Sequence, residues 1–289
     1  MTAVYGASAV KRVRRTKLEL AALDHAIIDA VEEDWPVSLR GVYYRVVSIG
    51  AVDKTEAGYR AIGRRLLELR RAGEIPYDRI TDGTRWVVRP PSYDDYKAAL
   101  TETAKLYRRN MWRSQDAEVH VFTEKDAITG VIDPITEQWN VPLGVLRGYC
   151  SETFAHTMAQ AILAARKPVY VYQLGDHDPS GVGAWHDFQR KVTEFAPYAE
   201  VTFQRLAVTP AQIALYELPT RPTKQSDTRS RGWVGGSVEV DAIPAPTLRK
   251  IVSDAIEQHI DPDELERIEL IEESERSLLF ELAGRKWPA

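Results

Sequence analysis

Three acidic residues carry the strongest chemical signal in this chain. Asp176 and Asp178 alternate in the turn Gly175-Asp176-His177-Asp178-Pro179-Ser180-Gly181. The turn follows Val169 to Leu174, a short β-branched and aromatic run that reads as a buried strand. It precedes Val182 to Val192, which has helical spacing. Glu124 ends a similar run, Val119 to Thr123. Alternate side chains of an extended backbone share one side, so Asp176 and Asp178 are expected to point the same way. Close carboxylates repel unless a cation lies between them. Hard oxygen donors on a rigid sheet edge suit Mg²⁺, with Mn²⁺ as the alternative. Glu124, Asp176 and Asp178 are therefore the candidate metal ligands, and Glu124 is also a candidate proton relay. Zinc is disfavoured, because Cys150 is the only cysteine. His177, between the aspartates, is expected to project away from them.

The elements that must position these acids alternate from Glu118 onward. Strands are expected at 119–123, 141–145, 169–174 and 199–206, with helices at 128–139, 152–165, 182–192, 210–215, 247–259 and 262–283. That order predicts an α/β domain built on a mostly parallel sheet with right-handed crossovers. In such sheets chemistry sits outside the carboxyl ends of the strands, where these acids fall. The region before it is different. Helices are expected at 16–33, 39–48 and 55–72, with Ser38 as an N-cap and Gly73 as a stop, followed by a short hairpin over 80–88. Three helices and a hairpin outline a winged helix-turn-helix. Arg60, Arg64, Arg65 and Arg71, with Arg70, lie largely off the apolar stripe of the third helix, so they are candidate DNA contacts. Residues 1–15 read as a flexible basic arm, 16–90 as the winged-helix unit, 91–117 as a connector containing a helix over 93–111, and 118–289 as the α/β unit. The segment 220–236 has turn composition with four basic residues, a candidate contact to a nucleic-acid backbone.

Composition sets the outer bounds. The chain has 289 residues, 44% hydrophobic and 28% charged, which suits a globular protein with one or two cores. The net charge of -4 excludes a uniformly basic nucleic-acid binder, but the charge is uneven. Residues 54–71 carry six Lys or Arg against two acids, whereas 250–289 carry five against eleven. A basic face can bind DNA while the far end stays acidic. No intrachain disulfide can form, and no stretch reaches the ~18 apolar residues of a membrane span. A cytoplasmic location is expected.

Two motifs together resemble a known family. Glu124 with Asp176-x-Asp178 and Gly181 is similar to a Toprim domain, the metal-binding unit of topoisomerases, primases and some nucleases. Ser38-Leu39-Arg40-Gly41-Val42-Tyr43-Tyr44 resembles the Arg-x-x-Tyr-Tyr segment of the topoisomerase VI A subunit and the related meiotic double-strand-break protein. There it lies in a winged-helix domain ahead of Toprim. Val238 to Pro244 resembles the later part of the same family's Toprim domain. The resemblance spans about Val37 to Ile260 and is greatest to the compact phage and mobile-element Mini-A type. It departs at Gly41, where the family usually has an acid.

The resemblance implies that Tyr44 attacks a DNA phosphate, with Mg²⁺ held by the Toprim acids, to leave a 5′-phosphotyrosyl link. It further implies a homodimer acting on double-stranded DNA. A phenol of pKa about 10 is a poor nucleophile until its charge is offset. Arg40, four residues before Tyr44 on one helix face, is placed to do that. Tyr43 falls on the apolar face and reads as core. The competing readings are a hydrolytic Toprim nuclease and a DNA-binding regulatory protein that does not cut. The sequence contains no GxxxxGK[ST] loop, so ATP-driven strand passage would need a separate ATPase subunit.

Overall fold

The computed structural model describes residues 15–81, 89–222, 233 and 235–285. Most of the basic arm, most of the expected hairpin (82–88) and much of the basic loop (223–232 and 234) lie outside the described residues.

Three helices open the chain. α1 (Lys17–Asp34) starts at a capping box. Thr16 Oγ1 accepts the Glu19 N–H at 3.2 Å, and the Glu19 carboxylate accepts the Thr16 N–H at 2.7 Å. α2 (Leu39–Ser48) is capped by Ser38, whose Oγ accepts the Gly41 N–H at 3.0 Å. α3 (Glu56–Ala72) is capped by Thr55 and stops at Gly73, which takes the left-handed conformation at φ 81°. Leu23, Ile27 and Val31 of α1, Val42 and Val46 of α2, and Ile62, Leu66 and Leu69 of α3 bury their side chains together. β1 (Val37–Ser38) pairs in parallel with β2 (Ile80–Thr81), the described start of the expected hairpin.

The connector helix is shorter than the expected 93–111. α4 (Tyr96–Leu106) is capped by Asp95, and the backbone leaves it at Tyr107. A single 3-10 turn over Met111–Arg113 follows, where Asn110 Oδ1 accepts the Trp112 N–H at 3.0 Å. A short polar side chain bonding to nearby backbone favours the turn over a helix at 110–113, after the chain has already turned extended at Tyr107.

The remaining strands form one parallel sheet. They are β3 (Glu118–Thr123), β4 (Leu143–Val145), β5 (Val169–Leu174) and β6 (Val201–Ala207), in the order β4-β3-β5-β6. The intervening helices are α5 (Asp126–Gln138), α6 (Glu152–Ala165), α7 (Pro179–Phe195) and α8 (Pro210–Leu215). α9 (Ala245–Glu257) and α10 (Pro262–Gly284) close the described chain, and α10 packs along α4.

Alternation along the strands sorts the core into two faces. Val119, Val121, Tyr172 and Leu174 meet Ile128 and Ile132 of α5 and Leu248, Val252 and Ile256 of α9. Phe122, Val169 and Val171 meet Ala155 and Ile162 of α6 and Trp185, Phe188 and Val192 of α7. Covering both faces is what a parallel sheet requires. The buried residues of α1 to α3 belong to the same continuous cluster as the α5–α9 face. Among the described residues no helix is long and apolar enough to cross a membrane.

Ser38 joins the two parts. Besides capping α2, its hydroxyl donates to Asp241 Oδ1 at 2.8 Å in a buried position. Ser38→Ala removes a helix cap and a bond to a charged acceptor, together worth about 2–3 kcal/mol. A urea titration should show a lower midpoint with an unchanged slope.

Candidate functional site

The chain direction selects one crevice in the sheet. From β3 the chain steps outward to β4, then returns past β3 to β5 and outward again to β6. The order therefore reverses between β3 and β5. Ligands of open α/β sheets bind at the carboxyl ends of the strands beside such a reversal. Thr123 pairs with Leu174 at the end of the two strands, and the Glu124 N–H donates to Leu174 O at 2.9 Å. Glu124 and the Gly175–Gly181 turn are thereby held side by side.

Glu124 lies in this turn with little room around it. Its Oε2 accepts the Asp176 N–H at 2.8 Å. A Cβ on Gly181 would stand 2.7 Å from that oxygen, and one on Gly175 would stand 2.6 Å from it. Both glycines are thus required by close approach of the carboxylate. Burial, together with the Asp176 and Asp178 charges, pushes the Glu124 pKa up to about 7.

Asp178 has a second task. It is the N-cap of α7, and its Oδ1 accepts the Gly181 N–H at 2.8 Å. α7 therefore begins at Pro179, three residues before the expected start, because Pro fits the first helical turn after an acidic cap. Asp176 faces a different set of groups. Its Oδ1 accepts the Val240 N–H at 2.9 Å and lies 2.9 Å from Lys125 Nζ. The two aspartates flank His177 as expected, but different partners occupy them. His177 pairs its backbone with Val238 and packs its ring 4.7 Å from that of Trp233.

Lys125 was not singled out from the sequence. Its ammonium lies 2.9 Å from both Asp176 Oδ1 and Asp241 Oδ2, and 4.0 Å from Glu239 Oε2. Burial works against its charge, and Asp241 and Asp176 outweigh burial, so its pKa is raised. Arg205 is a second buried cation at the turn. It donates to the backbone carbonyls of Gly175 (2.7 Å) and Asp176, and burial lowers its pKa. Glu239 is 3% exposed and binds Arg40, and its Oε1 is 2.7 Å from Arg221 Nη1. The signal for Glu239 and Asp241 was the alternation of acids and valines in Val238 to Asp241, read only as family resemblance. Lys125 and Arg205 carried no signal above the average charged residue.

Tyr44 and Arg40 line one cavity of about 490 Å³ between α2, α3 and the 220–222 segment. Lys54, Glu56, Arg221 and Glu239 complete its charged wall. Lys54 Nζ lies over the Tyr44 ring, 5.3 Å from the centroid. Tyr44 is 7% exposed, and burial, then the Glu239 charge, raises its phenol pKa. Tyr43 is a core residue, its hydroxyl donating to Thr55 O at 3.2 Å. Gly41 stands where a Cβ would be 2.8 Å from Val37 Cγ2, so a larger residue does not fit there.

The α3 arginines divide. Arg65 is committed within the chain, bidentate to Asp24 (Nη2 to Oδ2 2.6 Å) and paired with Glu68. Asp24 and Glu68 therefore account for its position without DNA. Arg60 is exposed and pairs with Glu56 at 3.2 Å one turn away. Arg64 and Arg71 are exposed.

The oxygen donors of the turn are of the type a hard divalent cation takes, and such a cation would offset both the burial and the neighbouring carboxylate charge that raise Glu124. Lys125 already matches Asp176. Among the described residues, no Lys or Arg is within ion-pair distance of Glu124 or Asp178, which makes these two the acids best placed to take a cation. Also among the described residues, no three His, Cys, Asp or Glu side chains are disposed to hold a metal as they stand. Comparison with known proteins returns no matching family model and no match to a curated protein. The fold and site thus define an α/β protein with a parallel four-stranded sheet and an acidic turn at its reversal point.

Two measurements check this electrostatic picture. Lys125→Met leaves buried Asp176 and Asp241 without their shared cation and should cost about 3–5 kcal/mol in denaturant titrations. For Glu124 the folded pKa lies above the ordinary carboxyl value of 4.5, so the folded state binds more protons. Stability should fall as pH rises from about 4.5 to about 7. With divalent cations chelated, Glu124→Gln should flatten that slope, leaving the part due to Asp176, whose pKa burial also raises, and be more stable than wild type at pH 8, by up to about 3 kcal/mol.

Proposed function

We propose that this chain is a Mg²⁺-dependent DNA-cleaving transesterase resembling the topoisomerase VI A subunit. In this reading α1 to α3 belong to a winged-helix unit and the sheet is a Toprim domain. The observation that carries it is the cationic cavity in which Arg40 and Tyr44 lie together. Its Glu239 wall reaches the acidic turn through Lys125. A cavity with three cations, Arg40, Lys54 and Arg221, against two acids, Glu56 and Glu239, keeps one net positive charge beside the Tyr44 phenol, which suits a phosphodiester as electrophile. Glu239 also supplies Arg40 with a carboxylate where the resembled family has an acid in place of Gly41.

The chemistry balances as a transfer. Tyr44 loses its phenol proton to a base and its oxygen bonds to phosphorus, while the bond from phosphorus to the 3′ oxygen breaks. The 3′ oxygen leaves as a hydroxyl after taking up a proton. Glu124, with a pKa of about 7, is suited to relay a proton near neutral pH. Arg40 and Arg221 offset charge on the phosphate and on the phenolate. Glu124 and Asp178, with Asp176, would hold Mg²⁺, which supplies further charge neutralisation when bound. A double-strand break requires two copies acting on duplex DNA, hence a C2 homodimer. Strand passage driven by ATP would require a separate ATPase subunit.

A second reading has its own support. Tyr44 is buried and its proton is held more tightly than that of a free phenol, which favours metal-dependent hydrolysis with Tyr44 as a bystander. Supercoiled plasmid, Mg²⁺ and protease digestion separate the readings. Transesterification predicts linear product with peptide-blocked 5′ ends, and a loss of about 100-fold or more in Tyr44→Phe and Asp176→Ala. Free 5′ ends with Tyr44→Phe cutting at the wild-type rate would establish hydrolysis. Salt-dependent binding without any cut product would leave a non-cleaving DNA-binding protein.

A further inference from the structure

A second charged cavity lies away from the acidic turn. It measures about 450 Å³ and is lined by Arg108, Arg109, Asn110, Arg113 and Ser114 of the connector and by Arg267 of α10. Its place in the fold follows from α5. That helix starts beside Glu124 and runs 13 residues, about 20 Å, to its carboxyl end. Arg108 Nη1 donates to Glu137 O at 2.7 Å there, and Trp112 Nε1 donates to Trp139 O at 2.8 Å. The cavity therefore belongs to the opposite edge of the sheet from the turn and is built from none of its residues.

The connector is pinned around this cavity. Met111 and Trp112 are buried, and Lys167 Nζ donates to Trp112 O and to Gln115 O (2.8 Å). The arginines are thus presented by a fixed backbone, which lowers the ordering cost of binding. Their charges are unequally matched. Arg109 pairs with Glu275 at 2.5 Å and Arg267 with Glu264 at 2.5 Å. Arg108 bonds to main-chain carbonyls alone, and no carboxylate lies within ion-pair distance of it or of Arg113 among the described residues. Arg113 is exposed. Four guanidinium groups against two carboxylates leave a local excess of two positive charges, on the side chain best shaped for phosphate oxygens.

We propose that this cavity is a phosphate-binding site for phosphate esters, distinct from the Tyr44 cavity and independent of any cleavage activity. The phosphate could be presented by a nucleic-acid backbone or by a nucleotide, and the chemistry recognised is the same.

The test uses the full chain without divalent cations. Labelled duplex DNA is titrated by fluorescence anisotropy across salt concentrations, and ATP by calorimetry. Arg113→Ala is the primary variant, because the Arg113 side chain makes no ion pair or hydrogen bond among the described residues, and its one bond, from the backbone N–H to Asn110 O, survives the change. Arg108→Ala/Arg113→Ala is the stronger variant. Lys250→Ala removes equal charge from the exposed surface of α9 as the control. If the backbone is the source, duplex affinity should fall several-fold in Arg113→Ala, recover in Arg113→Lys, and lose about 1 in salt slope per arginine removed. If a nucleotide is the source, ATP binding to wild type should be lost in the double variant while duplex affinity is unchanged. Equal losses in Lys250→Ala and Arg113→Ala would overturn the proposal, as would wild-type binding of both ligands by the double variant, or no binding of either ligand by wild type. Cleavage and its dependence on Tyr44 are measured separately, so either reading can fail alone.

Discussion

The ammonium of Lys125 is the point on which the site depends. It stands directly after Glu124 at the end of β3 and meets Asp176 from the turn after β5 and Asp241 from the segment before α9. Three stretches far apart in sequence therefore meet at one charge. Asp241 is fully buried at its side chain, so without a cation beside it the fold would bear the cost of an isolated buried carboxylate. Ser38 donates to the other oxygen of Asp241, which ties the start of α2 to the same charge. Removing that single positive group would loosen the turn, the 238–241 segment and the seat of the tyrosine helix together.

Charge ordering follows from this. Asp176 is matched by Lys125, and Glu239 by Arg40 and Arg221, whereas Glu124 and Asp178 meet backbone N–H groups. The acids at the crevice thus divide into three with a Lys or Arg partner, Asp176, Glu239 and Asp241, which hold the parts together, and two, Glu124 and Asp178, with none among the described residues. Burial first, and then the neighbouring acids, raise the pKa of Glu124. Chemistry and architecture share one cluster but use different members of it.

Most of the scaffold was legible in the sequence, because periodicity and caps are local. Ser38 and Gly73 marked helix ends through side-chain and backbone properties visible in a window of a few residues. Parallel pairing followed from strand and helix alternation. The misjudged ends have local causes as well. Asp178 was read for its charge when it also caps α7, and Asn110 accepts the Trp112 N–H in a 3-10 turn where a longer helix was expected. What was not legible is what depends on tertiary neighbours. Lys125 and Arg205 are ordinary basic residues until the fold buries them, and Arg65 is an ordinary surface arginine until α1 places Asp24 beside it. Long-range partnership between charges leaves no periodic trace.

The same reasoning bears on how Arg40 and Tyr44 are coupled to the turn. A helix face alone would put Arg40 beside Tyr44, with the guanidinium free to lower the phenol pKa. The fold spends that charge on Glu239 instead, and the phenol responds to burial and to the Glu239 carboxylate, so its pKa rises. A phosphate entering the cavity would compete with Glu239 for Arg40 and Arg221, since both carboxylate and phosphate are bidentate acceptors for a guanidinium. Arrival of the anion would then also free Glu239, 4.0 Å from Lys125, to accept more of that ammonium's charge. The resting network raises the tyrosine's pKa, and a phosphate, as a bidentate acceptor for Arg40 and Arg221, would rearrange it.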